Sequence, residues 1–550
     1  MSSSHAIGPD QPALLELTIG GALDAAAKAW PSHDALVCPA QGKRLSWAEL
    51  HEQAEAFAAG LLELGMAPGD RIGVWSLNRA EWTITQFAAA KAGLILVSVN
   101  PSYRRSELEF ALNKVGCKAI VIAPAFKTSD YAGMLMELGQ KRLPHLEIVI
   151  AMGDGVVADF NRFEAVIELG RAVGTAALRA VETSLAPSDP VNIQFTSGTT
   201  GSPKGVTLSH RSIVNNGYMV GCGLELRPFD RICAPVPLYH CFGMVMANLA
   251  AVTRGAAVVF PGEGFDPLAT LRAVAEERCT VLYGVPTMFL AELDLPQFAD
   301  FDLSCLRTGI MAGSPCPEEV MRRVIERMHM DEITICYGMT ETSPVSMQTL
   351  VRDTFERRVS TVGRAHPHVE VKVVDADGAV LDCGLPGELC VRGYSTMLGY
   401  WDEPQQTAAA LDADGWLHSG DLATIDEDGY GRIVGRIKDM VIRGGENLYP
   451  REIEEFLYRH PDIVDVQVFG VPDAFYGEEL CAWIIPVENR AIDEESVRAF
   501  CRGEIAHHKV PRHIRFVEAF PMTVSGKVRK VEMRAQMTAE LQASVNDASD

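Results

Sequence analysis

Along the first third of the chain, hydrophobic and polar positions alternate between two periods. Ser46-Trp47-Ala48-Glu49 has the S-x-x-E form in which a hydroxyl and a carboxylate cap a helix start, and an amphipathic run follows to about Leu64. Arg71 to Ser76 then reads as a strand, Ala80 to Ala92 as a helix, and Leu94 to Val99 as a short buried strand closed by Asn100-Pro101. Ser106 to Glu109 repeats the capping pattern and Lys118 to Ile122 is the next strand. Helices and strands taking turns predict an α/β protein with parallel sheets covered on both faces.

From Val369 the pattern changes. Val369, Val371 and Val373 alternate with polar residues up to Asp375-Ala376-Asp377-Gly378, and Glu388 to Arg392 follows, which predicts hairpins and barrel-like β-structure. After Gly435-Arg436-Ile437-Lys438-Asp439 comes a glycine pair, then a helix from about Arg451 to Arg459 with Ile453, Phe456 and Leu457 on one face, and an αβ ending. These shifts place a boundary near residue 437: residues 1–436 form a large N-terminal domain and residues 437–550 a smaller α+β domain of about 110 residues, enough for one core.

Composition narrows the function. The chain has 550 residues, 47% of them hydrophobic, with 49 Lys plus Arg against 72 Asp plus Glu, a net charge of −23. Such a surface repels a phosphate backbone, so nucleic acid is excluded as an expected partner. The most apolar stretch, about Ile232 to Phe260, is interrupted by His240, Asn248 and Arg254 and is not expected to span a membrane. Residues 1–11 lack a basic region followed by an apolar run, and Ala548-Ser549-Asp550 is not a peroxisomal tripeptide. The 13 cysteines never fall in C-x-x-C spacing. A cytoplasmic protein without disulfides or structural zinc is expected.

The first candidate chemistry is the loop Phe195-Thr196-Ser197-Gly198-Thr199-Thr200-Gly201-Ser202-Pro203-Lys204-Gly205, read as a connection from an apolar strand to a helix starting near Arg211. Glycines let the backbone approach an anion, hydroxyls donate to it and Lys204 adds charge, as a polyphosphate nest requires. The loop does not have Walker A spacing, and no G-x-G-x-x-G occurs in the chain, so P-loop and dinucleotide-binding readings lose their support. A flexible polar surface loop is the plain alternative.

Thr196 to Gly205 resembles the signature loop of the adenylate-forming superfamily, which contains acyl-CoA synthetases, peptide-synthetase adenylation domains and beetle luciferases. Four further segments resemble its other motifs in the same order: Tyr337-Gly338-Met339-Thr340-Glu341-Thr342, Trp416-Leu417-His418-Ser419-Gly420-Asp421, Gly435-Arg436-Ile437-Lys438-Asp439 and Pro521-Met522-Thr523-Val524-Ser525-Gly526-Lys527. The resemblance implies two βα-layered subdomains and a small distorted β-barrel in the N-terminal domain, followed by a mobile C-terminal domain. It also implies ATP, Mg²⁺ and coenzyme A.

The same resemblance assigns roles. Thr196, Ser197, Gly198, Thr199, Thr200, Gly201 and Lys204 would hold the ATP phosphates. Glu341 would ligate the metal and Thr340 a phosphate, a hydroxyl beside a hard oxygen ligand. Tyr337, with Gly338 and Met339, would present a flat face to adenine, edged by Gly313 and Ser314. Asp421, in a turn where one carboxylate can accept from two vicinal hydroxyls, would take the ribose with Arg436. His240 would lie beside the substrate carboxylate, with Phe242, Met244 and Val245 lining the acyl pocket; core packing and tunnel lining look alike in sequence. Lys438 would be the hinge and Gly444, Gly445 and Glu446 the coenzyme A channel, although an exposed loop lysine and a plain turn explain these residues equally well. Residues 505–534 carry seven basic side chains against two acidic ones, a net of +5. Lys527, among them, matches the adenylation lysine.

A carboxylate does not react with a thiol at neutral pH because its leaving group would be oxide, and capping it with AMP supplies a good one. The resemblance thus implies an ATP-dependent acid:CoA ligase, and Leu306 to Val324, followed by Ile335-Cys336-Tyr337 and Thr342-Ser343-Pro344-Val345, is most similar to the medium-chain fatty acyl-CoA synthetases. A stand-alone adenylation enzyme loading a carrier protein, a ligase for short-chain or aryl acids, a luciferase-type oxygenase and an inactive nucleotide-binding scaffold are the alternatives. Oligomeric state is left open, a homodimer among the options.

Overall fold

The computed structural model describes residues 3–126, 129–153, 159–196, 203–314, 316–444, 446–473, 475–488, 490, 492–522 and 528–547, with side chains to 542. Contacts gather the chain into two units. The larger holds residues 6–371 and 391–418, and the smaller residues 1–5, 372–390 and 419–550. The boundary expected near residue 437 falls within the smaller unit, between the strand Gly431–Arg436 and the strand Val441–Arg443.

The larger unit carries an eight-stranded and a nine-stranded sheet with helices packed on them, the α/β architecture expected from the alternating periods. The first sheet runs in the order Asn161–Arg162, Ile148–Ala151, Ala119–Ile122, Arg71–Trp75, Ile95–Val99, Pro190–Thr196, Lys204–Ser209 and Gly399–Tyr400. The six strands from Asn161–Arg162 to Pro190–Thr196 are parallel, and central ones are buried on both faces, as at Ile95, Leu96, Val97 and Val99. The helix Trp47–Glu63 begins with the expected capping box: Glu49 N donates to Ser46 Oγ at 3.3 Å and Ser46 N to Glu49 Oε2 at 2.8 Å. The second expected box is displaced. The helix is Arg105–Val115, and it is Arg104 N that donates to Glu107 Oε2, at 2.9 Å, so Ser106 lies inside the first turn.

One organisational expectation is corrected. The glycine-rich loop does not lead into a helix; Lys204–Ser209 is a strand, antiparallel to Pro190–Thr196 with Thr196 opposite Lys204, and the helix His210–Gly223 follows it. Val206 and Leu208 are buried on that strand, and this short apolar alternation belongs to the sheet. Thr196 and Lys204 thus stand opposite each other at one end of two paired strands.

The nine-stranded sheet runs Arg364–Ala365, Val345–Gln348, Glu332–Gly338, Thr308–Ala312, Val281–Gly284, Arg231–Cys233, Ala257–Val259, Asp34–Cys38 and Lys43–Ser46. Thr308–Ala312 and Glu332–Gly338 are parallel neighbours with Ala312 opposite Cys336, so Gly313 and Tyr337 follow at the same carboxyl edge, where open α/β sheets bind ligands.

In the smaller unit, strand segments 372–374, 387–390, 419–425 and 431–436 lie in one sheet, the last two antiparallel, the β-structure expected after Val369. A second sheet runs Glu446–Leu448, Val441–Arg443, Gly477–Pro486 and Ile463–Asp473, with His513–Phe516 parallel to Gly477–Pro486. The helices Pro450–Leu457 and Glu494–Cys501 cover it, burying Ile453, Leu457, Val497 and Cys501 with Val466, Val468 and Ile484.

Candidate functional site

In the larger unit, the sheet edge itself assembles part of the site. Gly399–Tyr400 pairs with the strand that leaves the glycine-rich loop, Tyr400 opposite Val206, and Trp401 N donates to Gly205 O at 2.7 Å. Tyr400 therefore lies beside Lys204, whose ammonium stands 4.7 Å from the ring centre. The Tyr400 hydroxyl donates to Glu341 Oε1 at 3.1 Å, and Met397 N donates to Glu341 O at 2.9 Å. Burial, then the charge of Glu341, pushes the Tyr400 phenol well above its ordinary range, so it stays a donor at neutral pH. Lys204 and Glu341, more than a hundred residues apart in sequence, thus meet around a tyrosine that sequence reasoning missed. Its signal was weak: a lone Gly-Tyr-Trp after a Leu398 that is half exposed.

The turn that presents Thr340 and Glu341 is held from within. Thr342 Oγ1 accepts from Met339 N at 3.1 Å and donates to Pro344 O at 2.6 Å, and Ser343 Oγ donates to Ser395 O at 2.6 Å. Behind it, the buried Asn216 grips the next strand like a backbone segment, its Nδ2 donating to Val345 O at 2.7 Å and its Oδ1 accepting from Val345 N at 3.1 Å. A pair of asparagines in an apolar helix was the available signal. Thr340 and Glu341 are both buried, whereas Tyr337 and Met339 are half-buried and Gly313, Ser314 and Gly338 exposed. Gly313 adopts φ 89°, which its glycine permits.

The Glu341 carboxylate is a hard oxygen donor that fits a cation such as Mg²⁺, and the neighbouring Thr340 hydroxyl can donate to a phosphate. Asp24, His51 and Glu55 also bring ligand atoms together, but the wholly buried Lys91 ammonium already fills that cluster, 2.5 Å from Asp24 Oδ1 and 3.4 Å from Glu55 Oε1.

His240 caps the apolar segment that follows it: Phe242 N donates to His240 Nδ1 at 3.2 Å, which puts the proton of the neutral ring on Nε2. Asn78 holds the approach, donating to Val236 O at 2.9 Å and accepting from Leu238 N at 2.8 Å. The expected apolar helix is present but irregular. Cys241–Gly243 is α-helical, Met244–Leu249 is a π-helix and Ala250–Arg254 is α-helical again. Such a widened turn marks many functional sites. A buried polar set supports it. Gln86 Nε2 donates to Met244 O at 3.0 Å, and Asn248 Nδ2 donates to Gln86 Oε1 at 2.8 Å. Gln194 takes the Cys241 thiol on Oε1 at 3.2 Å and donates to Met244 Sδ at 3.0 Å. Phe242, Met244 and Val245 are buried, and the Phe242 ring stacks 5.8 Å from that of Tyr283.

In the smaller unit, Asp421 and Arg436 are cross-strand partners, and Arg436 Nε lies 3.1 Å from Asp421 Oδ1. Asp421 is buried while Arg436 is about half exposed, at 52%. Gly420, at φ 70°, turns the chain so that its N–H donates to Glu388 Oε1 at 3.1 Å, and Asp421 N donates to Ser419 Oγ at 3.1 Å. Lys438 is exposed on a single helical turn, Ile437–Asp439. Gly444, at φ 58°, donates its N–H to Tyr476 O at 2.9 Å, and the exposed Glu446 faces Arg443 across a strand pair. Thr196 ends its strand half-buried. Ser197, Gly198, Thr199, Thr200, Gly201, Gly445 and Lys527 lie outside the described residues. All 13 cysteines are free thiols, and no described helix is long and apolar enough to cross a membrane.

Comparison with known proteins accords with this geometry. Residues 23–401 match the AMP-binding enzymes and residues 452–527 the C-terminal domain of AMP-binding enzymes. The chain is 46% identical to the Bacillus subtilis protein YngI over 534 residues, 95% of this chain and 97% of that one. It is 44% identical to the mitochondrial medium-chain acyl-CoA ligase ACSF2 of Bos taurus over 541 residues, 95% of this chain and 88% of that one. Among solved structures, the anthranilate CoA ligase AuaEII in complex with anthranoyl-AMP superposes with a TM-score of 0.85 at 26% identity, covering 96% of this chain and 98% of that one. With the α/β sheets, the ordered motifs and the Lys204–Tyr400–Glu341 assembly all in agreement, the chain belongs to the AMP-binding enzyme family and, within it, to the acyl-CoA ligases.

Proposed function

We propose that this protein activates a medium-chain fatty acid with ATP to acyl-AMP and pyrophosphate, then passes the acyl group to coenzyme A with release of AMP. The observation that carries this reading is the convergence of Lys204 and Glu341 on Tyr400, a cation and a metal-fitting carboxylate where a polyphosphate needs both. The likeness to ACSF2, named for medium-chain acids, supports the substrate class.

In the first half-reaction, the loop Thr196 to Lys204, through Ser197, Gly198, Thr199, Thr200 and Gly201, receives the phosphates, with Lys204 neutralising developing charge. Tyr337, Gly338 and Met339 take the adenine with Gly313 and Ser314, and Asp421 with Arg436 takes the ribose. Glu341 would hold Mg²⁺, which neutralises the nucleotide phosphates when bound, and Thr340 would donate to a phosphate oxygen. His240, whose Nε2–H is fixed by the cap at Nδ1, steers the acid carboxylate, and Phe242, Met244 and Val245 receive its chain. Lys527 bridges carboxylate and α-phosphate as the bond between them forms. Holding reactants in line supplies much of the rate, because a bimolecular attack becomes effectively unimolecular.

For the second half-reaction, Lys438 is the hinge at which residues 437–550 turn as a domain on residues 1–436. Gly444, Gly445 and Glu446 then line the path of the coenzyme A thiol. Thirteen free thiols support a reducing location, the cytoplasm.

Purified protein supplied with ATP, Mg²⁺, coenzyme A and straight-chain acids from acetate to palmitate, plus benzoate, tests the reading. Equal amounts of AMP and acyl-CoA, peaking at intermediate chain length, are expected. Pyrophosphate without thioester would indicate a carrier-loading enzyme instead, a benzoate optimum an aryl ligase, and silence with every acid would refute the reading.

A further inference from the structure

Tyr400 has no role in the reading above, yet its side chain touches two oppositely charged groups of that reading in the larger unit. Its ring underlies the Lys204 ammonium and its hydroxyl binds one oxygen of the Glu341 carboxylate. Its own backbone is pinned on two sides, by pairing to Val206 and by Tyr400 N donating to Thr407 Oγ1 at 2.9 Å. A phenol hydrogen-bonded to one carboxylate oxygen fixes the rotation of the carboxylate, and a ring face beneath an ammonium restrains a long, flexible side chain.

We propose that Tyr400 is a positioning residue that orients Glu341 for the divalent cation of the nucleotide and holds Lys204 extended beside it, so that both charges are set before ATP arrives. This rests on the proposed roles of Glu341 and Lys204. Two functions are separable in the one side chain. The hydroxyl acts on the carboxylate and hence on the metal-dependent part of nucleotide binding. The ring acts on the lysine and hence on the part that needs no metal. Among the contacts of the described residues, the hydroxyl on Glu341 is what distinguishes tyrosine from phenylalanine here, since the ring of phenylalanine fills the same volume.

The test is calorimetric binding of α,β-methylene-ATP, which cannot release pyrophosphate, to the full chain with excess Mg²⁺ and with EDTA. Tyr400→Phe keeps the ring and loses the hydroxyl. It is expected to weaken binding of the Mg²⁺ complex about tenfold, the scale of a hydrogen bond to a charged group, with metal-free binding unchanged. Tyr400→Leu loses both and is expected to weaken metal-free binding about threefold as well, the scale of one side chain left to be ordered on binding. The Mg²⁺ concentration for half-maximal pyrophosphate release, with KM for the acid unaltered, gives a second readout. Wild-type Mg²⁺ coupling that persists unchanged in Tyr400→Phe, or an equal loss in both binding modes, overturns the role of Tyr400 alone. A wild-type protein that binds the analogue no better with Mg²⁺ than without overturns the assignment of Glu341, and the proposal with it.

Discussion

Gly338 faces Pro344 across the turn that presents Thr340 and Glu341 so closely that a Cβ on Gly338 would stand 1.7 Å from the Pro344 carbonyl oxygen. That separation is far below any van der Waals contact, and the obstacle is backbone, which cannot swing aside. Gly338→Ala must therefore displace the turn. Expected is a loss of about 1 to 3 kcal/mol in stability with a fall in acid-dependent pyrophosphate release of at least about tenfold. Denaturant titration and a pyrophosphate assay check both, and a fully active Gly338→Ala enzyme would show that the turn's geometry is not needed.

Lys91 is wholly buried, with its ammonium 2.5 Å from Asp24 Oδ1, 2.6 Å from Glu182 Oε1 and 3.4 Å from Glu55 Oε1. Removing the cation leaves several carboxylates close together without their central counter-charge. Lys91→Met is expected to cost about 3 to 5 kcal/mol, seen as a lower urea midpoint at unchanged slope. A loss under 1 kcal/mol would mean that water or Arg179, 2.6 Å from Glu55, takes over the pairing.

Much of this architecture was legible because periodicity reports burial. The strands Arg71–Trp75 and Ile95–Val99 and the helix Ala80–Lys91 lie within a residue or two of where their apolar patterns put them. Lys204–Ser209 was not legible, because six residues with a lysine and a glycine at the start look like the tail of the glycine-rich loop until the partner strand supplies the hydrogen bonds. The same holds for the site. Lys204 and Glu341 could be named from the motifs they sit in, but Tyr400 comes beside Lys204 only through a strand pairing between residues nearly two hundred positions apart, which no local window contains. The π-turn at Met244–Leu249 was hidden for a related reason, since the Gln86 amide that meets the Met244 carbonyl lies far from it in sequence.

That contact makes a prediction of its own. Gln86→Leu leaves the Met244 carbonyl without its side-chain donor and takes away an acceptor of Asn248 Nδ2. The expected cost is about 2 kcal/mol in stability. Because the change acts on the proposed acyl wall and not on the nucleotide, relative kcat/KM among acids of different length should shift while KM for ATP stays constant. An unchanged chain-length profile would detach the π-turn from substrate choice.

Acid should destabilise the protein from near neutrality downward. Burial holds the His210 imidazole down to about 4, and its Nδ1 accepts from Ile19 N at 3.1 Å, so a proton there would confront a donor. Burial likewise holds His366 down to about 3. In the unfolded chain both titrate near the ordinary value of 6.5. Between 6.5 and 4 the unfolded state therefore binds more protons, and stability rises with pH; it is fully present above 6.5 and lost as pH falls towards the folded values. His210 alone contributes roughly 3 kcal/mol to that loss. Urea midpoints measured from pH 7 to pH 4 should fall steadily, and His210→Gln should flatten the slope. A flat wild-type profile would contradict the assignment.

The pairing of Asp421 with Arg436 separates folding from binding. Arg436 is about half exposed, so the ion pair is screened and its removal should cost little: under about 1 kcal/mol for Arg436→Ala. If the pair exists to take the ribose hydroxyls, the same variant should raise KM for ATP about tenfold with KM for the acid unchanged. Asp421 is buried among strand residues and anchored through Ser419, and Asp421→Asn retains its shape while weakening its power to accept two hydroxyl protons. It should match Arg436→Ala in KM for ATP and discriminate less against 2′-deoxy-ATP than the wild-type enzyme does. Equal treatment of ATP and 2′-deoxy-ATP by the wild-type enzyme would place the ribose elsewhere, and would leave the ion pair as a strand-pairing contact only.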